Sequence, residues 1–206
     1  MELYCVAVFI DPTRIDGLER VFGQLSFPLS PMDGVENGFH YHSFEVSVNH
    51  VGLIICEANH FHKHLDFEIG FAEFTQDSFL TLRQRIEGSG LKTKWVEGNQ
   101  NSFVFSEDAH GPFFFSNSDR FSNGSNLNCV RGRIASSDFK KFQILQKSIF
   151  DDRFARSIRL EESNDATYKI QQIVISGDFS SMGVFRCDRL LTISILSGEV
   201  VIDFEE

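Results

Sequence analysis

Basic residues are in short supply in this chain: 19 Lys and Arg stand against 29 Asp and Glu, a formal net charge of −10 over 206 residues. Phosphate binding needs a basic surface, so the balance argues against nucleic acid and against an anionic membrane as partners. It fits a protein that meets a small molecule or a basic protein partner. No apolar run approaches the roughly 18 residues that a membrane helix needs, and the opening "MELYCVAVFIDP" has neither a basic n-region nor a cleavage site. The four cysteines, Cys5, Cys56, Cys129 and Cys187, are far apart with no CxxC pair. Cys5 and Cys56 fall inside apolar runs and read as small core residues. A cytoplasmic location with reduced thiols is the expectation. GxSxG, P-loop, GxGxxG and HExxH patterns are all missing, so no ready-made catalytic set emerges from the residues.

What the chain does have is phenylalanine, 23 of 206 residues against one Trp and three Tyr. That composition fits a Phe-packed core or, alternatively, an apolar ligand cavity or partner surface. It also has a histidine cluster: "HYHSFEVSVNHVGLIICEANHFHKHLDFE", residues 40–68, holds six of the seven histidines.

The order of elements repeats. "ELYCVAVFI" reads as a buried strand, followed by Asp11 as N-cap, Pro12 as first helical residue, and Ile15, Leu18, Val21, Phe22 and Leu25 at helical spacing. "FHYHSFEVSV" and "GLIICEA" follow as strands, with a turn region at Asn49-His50-Val51. A second strand is expected over "HLDFEIGFAEF". A helix capped by Thr75 comes next, with Phe79, Leu82 and Ile86 on one face, and then three short strands ending in "GPFFFSN". After "SNSDRFSNGSNL" the order recurs with "CVRGRIA", the helix "SSDFKKFQILQKSIF", the strand "YKIQQIVISG" and a hairpin turned at Ser197-Gly198. "EESNDAT" reads as a charged surface loop. The expected fold is α+β, with repeated βαβββ units at residues 1–118, a linker at 119–127, and an additional βαββ unit at 128–206.

The second unit resembles the second half of a vicinal-oxygen-chelate protein, the glyoxalase and bleomycin-resistance superfamily. It shares the His-bearing strand, the helix, and an aromatic strand entering a DxxG turn, here Asp108-Ala109-His110-Gly111. "YCVAVFIDPTRIDGLERVF" resembles that family's opening strand, Asp and helix, so the likeness covers about residues 2–118. It implies a cupped sheet with up to four metal ligands, one from each of four strands. The corresponding positions fall on Tyr4, Glu57, His64 and Phe115, and neither Tyr4 nor Phe115 supplies the expected ligand.

A catalytic divalent metal wants three protein ligands and an open position. The resemblance therefore favours a metal-independent binding protein, with Tyr4, Phe103 and Phe115 lining the cup. The alternative is a metal-dependent lyase, isomerase or dioxygenase using His64 and Glu57 with a recruited neighbour: His62, Asp66 or His42. Alternation on a strand would put His60, His62, His64, Asp66 and Glu68 on one face and Phe61, Leu65, Phe67, Ile69 and Phe71 on the other. A solvated polar face and a metal platform both fit that pattern. The cofactor expectation is accordingly none or one divalent metal, and the third unit offers a surface for a homodimer.

Overall fold

A computed structural model describes residues 2–25, 27–36, 39–48, 51–59, 62–73, 76–96, 99–105, 113–116, 127–148, 157–164, 168–179, 182–187 and 189–205. The expected Thr75 cap, the histidines His50, His60 and His110, the 108–111 turn and most of the 119–127 linker lie outside these residues.

The first sheet is built from β1 (Glu2–Ile10), β2 (Leu29–Pro31), β5 (Ser43–Val48), β6 (Val51–Glu57), β7 (Phe67–Glu73), β8 (Thr93–Val96), β9 (Asn99–Phe105) and β10 (Phe113–Ser116). A small separate hairpin, β3 (Gly34–Glu36) with β4 (Phe39–Tyr41), interrupts it. Strand order across the sheet is β2-β5-β6-β1-β7-β10-β9-β8. Two equal halves meet at its centre, where β1 and β7 pair antiparallel. Within each half the opening strand lies parallel to the last, β1 with β6 and β7 with β10. Parallel pairing requires a crossover, and helices α1 (Pro12–Gln24) and α2 (Gln76–Gly88) provide it.

Helix α1 starts where the sequence says it should. Asp11 accepts the backbone N–H of Thr13 at 2.9 Å, Pro12 follows it, and Ile15, Leu18 and Phe22 are buried on one face. On α2 the buried residues are Phe79, Leu82 and Ile86. Arg83 lies over the Trp95 ring at 4.2 Å and fastens the helix to β8.

The second sheet contains β11 (Leu127–Ala135), β12 (Ile158–Ser163), β13 (Lys169–Ser176), β14 (Gly183–Cys187), β15 (Leu191–Leu196) and β16 (Glu199–Phe204), in the order β12-β11-β13-β16-β15-β14. Helix α3 (Ser136–Ser148) precedes β12. This unit has six strands, two more than the four segments read as strands in the sequence. β12 begins in a stretch read as surface and takes in the first three residues of "EESNDAT", and β14 is an edge strand with Cys187 as its buried residue. Both expose most of their length, and so lack an apolar run to announce them.

The second sheet repeats the plan of the first. β11 pairs parallel with β12 and antiparallel with β13, as β1 does with β6 and β7. Leu3-Tyr4-Cys5-Val6 and Leu127-Asn128-Cys129-Val130 even share a register irregularity at the same step, Leu3/Cys5 and Leu127/Cys129. The departure is informative. β14 begins at Gly183, too soon after the end of β13 at Ser176 for a crossover helix like α1, and β16 runs antiparallel to β13.

Helices α1, α2 and α3 sit between the two sheets. α1 packs on β6 and on β14, α3 packs on β11 and β12, and α2 meets α3. One continuous core results, holding Val6, Val8 and Ile10 from β1 and Ile173, Val200, Ile202 and Ile193 from the second sheet. The sheets touch directly beside Gly132. The Ile170 N–H donates to the Leu65 carbonyl at 2.9 Å, and a Cβ on Gly132 would come within 2.6 Å of the Phe67 ring and 2.9 Å of the Lys169 carbonyl. Gly132→Ala should therefore cost about 1–3 kcal/mol by overpacking. Urea denaturation checks this, and an unchanged midpoint would mean that the sheets are not in contact there.

Candidate functional site

Alternation along the strands separates two faces of the first sheet. Phe44, Val46, Leu53, Ile55, Val6, Val8, Phe67 and Ile69 turn toward the helices and are buried. Among the described residues the other face carries no helix, and it reads across the strands in rows. One row is Ser47, Gly52, Cys5 and Gly70. The next is Glu45, Ile54, Ala7 and Glu68, and the next is Ser43, Cys56 and Phe9.

Small residues thus meet at the middle of this face: Gly52, Cys5, Gly70 and Ala7. Glu45 leans over the strand beside them, its carboxylate oxygen 2.8 Å from where a Gly52 Cβ would stand. Glu68 borders the other side, and the His62 imidazole lies 3.9 Å from its carboxylate. The His62 ring stacks flat on Phe9, with centroids 3.8 Å apart and planes 9° apart. Burial, helped by Glu45 and Glu68, pushes the Cys5 thiol far above its ordinary range. Burial and then Glu68 push Cys56 up to about 12. Both are neutral thiols at physiological pH, packing groups rather than nucleophiles.

The histidine run is not a strand. Asn59 accepts the His62 N–H on its side chain while its own N–H donates to the His62 carbonyl. Asp66 repeats the device, accepting the Lys63 N–H at 2.6 Å and donating its N–H to the Lys63 carbonyl. These side-chain-to-backbone bonds fold residues 62–66 into turns, with Leu65 at φ 69°. β7 begins only at Phe67. The expected alternation holds from Leu65 onward, with Leu65, Phe67, Ile69 and Phe71 buried. It fails for His62, His64 and Asp66, which do not share a strand face. "FHYHSFEVSV" is likewise broken at His42, between β4 and β5.

Each histidine of this region has separate work. The Asp11 N–H donates to His64 Nδ1 at 3.0 Å, tying the start of α1 to the turn before β7. Burial, then Arg14, pulls the His64 imidazole below its ordinary value. His42 lies between Asp33, which bonds its Nδ1, and Glu19 of α1, 3.6 Å from its Nε2. Its backbone N–H donates to Glu57 Oε2 at 3.0 Å. Burial is the largest influence on His42 and pulls it down. The Asp33 hydrogen bond and charge, with Glu19, outweigh burial and leave it above its ordinary value.

The residues singled out in the sequence divide between the two ends of the sheet. Glu57, His62 and His64 lie near the C-terminal end of β1, where Ile10 pairs with Glu57 and Asp11 meets His64. Tyr4 falls within the β1 register irregularity at the opposite end, and Phe115 is level with Ala72, which pairs with Glu2. Ile10 lies six residue steps along the strand from Tyr4, roughly 20 Å. Phe103 is level with Phe114 and Trp95 in the register. Among the described residues no three His, Cys, Asp or Glu side chains gather as a metal-holding group. The donor set that the resemblance implies therefore does not fit a metal here. The buried patch of small residues, Gly52, Cys5, Gly70 and Ala7, was not expected from the sequence. Its residues belong to three different strands, and only the register brings them together.

The fold is glyoxalase-like: paired βαβββ halves forming one curved sheet, with a second, reduced pair behind it. Among solved structures the chain is similar to a xylose isomerase-like TIM barrel/4-hydroxyphenylpyruvate dioxygenase fusion protein. The TM-score is 0.52 at 10% identity, over 87% of this chain and 36% of that one. It also matches a Bacillus subtilis protein assigned as a dioxygenase, with a TM-score of 0.41 at 12% identity, over 93% of this chain and 57% of that one. The first likeness shows the fold, and the chain spans about a third of that protein's length. No protein-family profile and no curated protein matches the sequence. Among the described residues no helix is long and apolar enough to cross a membrane.

The two perturbed histidines set opposite pH dependences. His42 binds its proton more tightly folded than unfolded, so its contribution is complete below the ordinary value of 6.5 and is lost as pH rises through the raised folded value. His64 binds its proton less tightly when folded, so stability falls as pH drops below 6.5 toward its depressed value. His42→Gln should flatten the decline of stability above pH 6.5, and His64→Gln should flatten the decline just below it. Denaturation midpoints from pH 5 to 8 check both. Profiles unchanged by either substitution would remove the two histidines from the stability balance.

Proposed function

We propose that the chain is a metal-independent binding protein and that its first sheet holds a small molecule on the helix-free face. The observation that carries this is the patch of small residues Gly52, Cys5, Gly70 and Ala7, with a carboxylate on each side and the Phe9–His62 stack at one end. Apolar flooring with a few polar groups at the border is what a small-molecule site requires. Glu45 and Glu68 favour a ligand that is cationic or rich in hydrogen-bond donors, and a basic side chain of a protein partner has the same chemistry.

The competing reading is a metal-dependent lyase, isomerase or dioxygenase, the last in line with the dioxygenase half of the first structural match. It rests on the proximity of His62, His64 and Glu57 to one end of the sheet. Against it, His64 Nδ1 and Glu57 Oε2 already accept backbone N–H groups.

The test is a thermal-shift screen of small amines, amides and guanidines on the whole chain, followed by titration of any hit. Expected is saturable binding, unaffected by chelator and weakened about tenfold or more in Glu68→Gln and Glu45→Gln, the loss of a charge-assisted contact. Stoichiometric uptake of zinc, iron, nickel or manganese, lost in His62→Ala and His64→Ala, would replace this reading with the metal-dependent one.

A further inference from the structure

The repeated plan allows the free faces of the two sheets to be compared position by position. Aligning Cys5 with Cys129 and Val6 with Val130 places Ala7 on Arg131 and Phe9 on Arg133. The neighbouring strands follow from the registers. Ile54 falls on Arg159 and Cys56 on Glu161, while Glu68 falls on Gln172. The centre of the first sheet's free face is small and bordered by carboxylates. The corresponding centre of the second sheet is arginine.

Arg131 and Arg159 are direct register partners on adjacent parallel strands. Their Cα atoms are therefore about 4.8 Å apart, and Arg133 follows on the same face roughly 6–7 Å along. All three are exposed. Arg133 lies 3.8 Å from Glu161. On the other side of Arg131 stands Gln172, whose amide donates to Asp203 at 2.6 Å and is held in place by it. Like charges directly opposite one another across strands are unfavourable. An anion seated between them converts that repulsion into bidentate, charge-assisted hydrogen bonding, the geometry guanidinium groups provide for carboxylate and phosphate. The setting sharpens the point. Nearly all of the chain's acidic excess is carried by residues 1–127, so this cluster stands in the nearly balanced remainder of a strongly acidic protein.

We propose that Arg131, Arg159 and Arg133, with Gln172 beside them, form an oxyanion-binding site on the free face of the second sheet, for a small molecule carrying a carboxylate or phosphate group. The site is independent of the patch on the first sheet and lies on the opposite side of the helix layer.

The test is titration of the whole chain with inorganic phosphate and, separately, succinate, each against potassium chloride at matched ionic strength, read by calorimetry and by thermal shift. Expected is saturable binding of at least one probe beyond the chloride control. Arg131→Gln and Arg159→Gln should each weaken it tenfold or more. Arg131→Lys, which keeps the charge but loses the fork, should fall between them and the parent, and Arg20→Gln on α1 should bind as the parent does. Binding no stronger than chloride, or binding that survives Arg131→Gln and Arg159→Gln, would overturn the assignment.

Discussion

The Phe67 ring lies where a side chain at position 132 would have to be, and that single close approach sets how the two sheets face each other. With glycine at 132 and the Ile170–Leu65 backbone bond beside it, the inner faces meet at this point and diverge away from it. The space that opens is filled by the helix layer. α1 reaches across it, with Leu18 and Phe22 in the shared core and Gly17 close to the Cys187 sulfur of β14. Phe27 and Phe179 close a further edge-to-face contact between the units, with centroids 6.4 Å apart. Burying both inner faces on one set of helices leaves the two outer faces clear of those helices, although Cys5, Ala7 and Phe9 on the first are still buried. Both candidate sites lie there.

Crossover helices decide strand direction throughout. Where α1 and α2 carry the chain back across the sheet, the meander that follows ends parallel to its opening strand. Between β13 and β14 the chain turns directly, and the same meander ends antiparallel. The order of strands survives the loss of a helix, because neighbours in a meander pair whichever way they run. The polarity does not survive. The second sheet is thus a reduced version of the first, and the irregularity shared by Leu3-Tyr4-Cys5 and Leu127-Asn128-Cys129 marks the same rung in each.

Much of this architecture could be read from the chain. Asp11-Pro12 announced α1, the Phe79, Leu82, Ile86 spacing gave α2, and the alternation from Leu65 to Phe71 gave the buried face of β7. Two kinds of information were not legible. Turn chemistry overrode periodicity in residues 62–66, because Asn59 and Asp66 offer the backbone hydrogen bonds that a strand would otherwise have to supply. Edge strands escaped notice for a different reason. β12 buries Ile158 and Ser163 and exposes or half-exposes the rest, so its sequence resembles a solvated loop. The candidate site suffered most. Motif positions fix distance along a strand, whereas a site depends on which rungs lie level across strands. Tyr4 and His64 occupy matching motif positions, yet stand at opposite ends of β1.

That dependence on register also explains how one scaffold carries two faces of opposite character. On the inner side, Val6 and Val130, Leu53 and Ile158, and Ile69 and Ile173 are equivalent pairs, apolar and close in size, because each must fill the same kind of space. On the outer side the equivalent pairs are Ala7 and Arg131, Ile54 and Arg159, Phe9 and Arg133. No packing constraint relates the members of these pairs, so volume and charge both change. Alternation confines that divergence to every second residue, and the core is unaffected by it. A strand pair can therefore exchange an acid-bordered patch of small residues for an arginine cluster without altering a single inward-facing contact. The free faces, rather than the shared core, are where this chain's chemistry has to be sought.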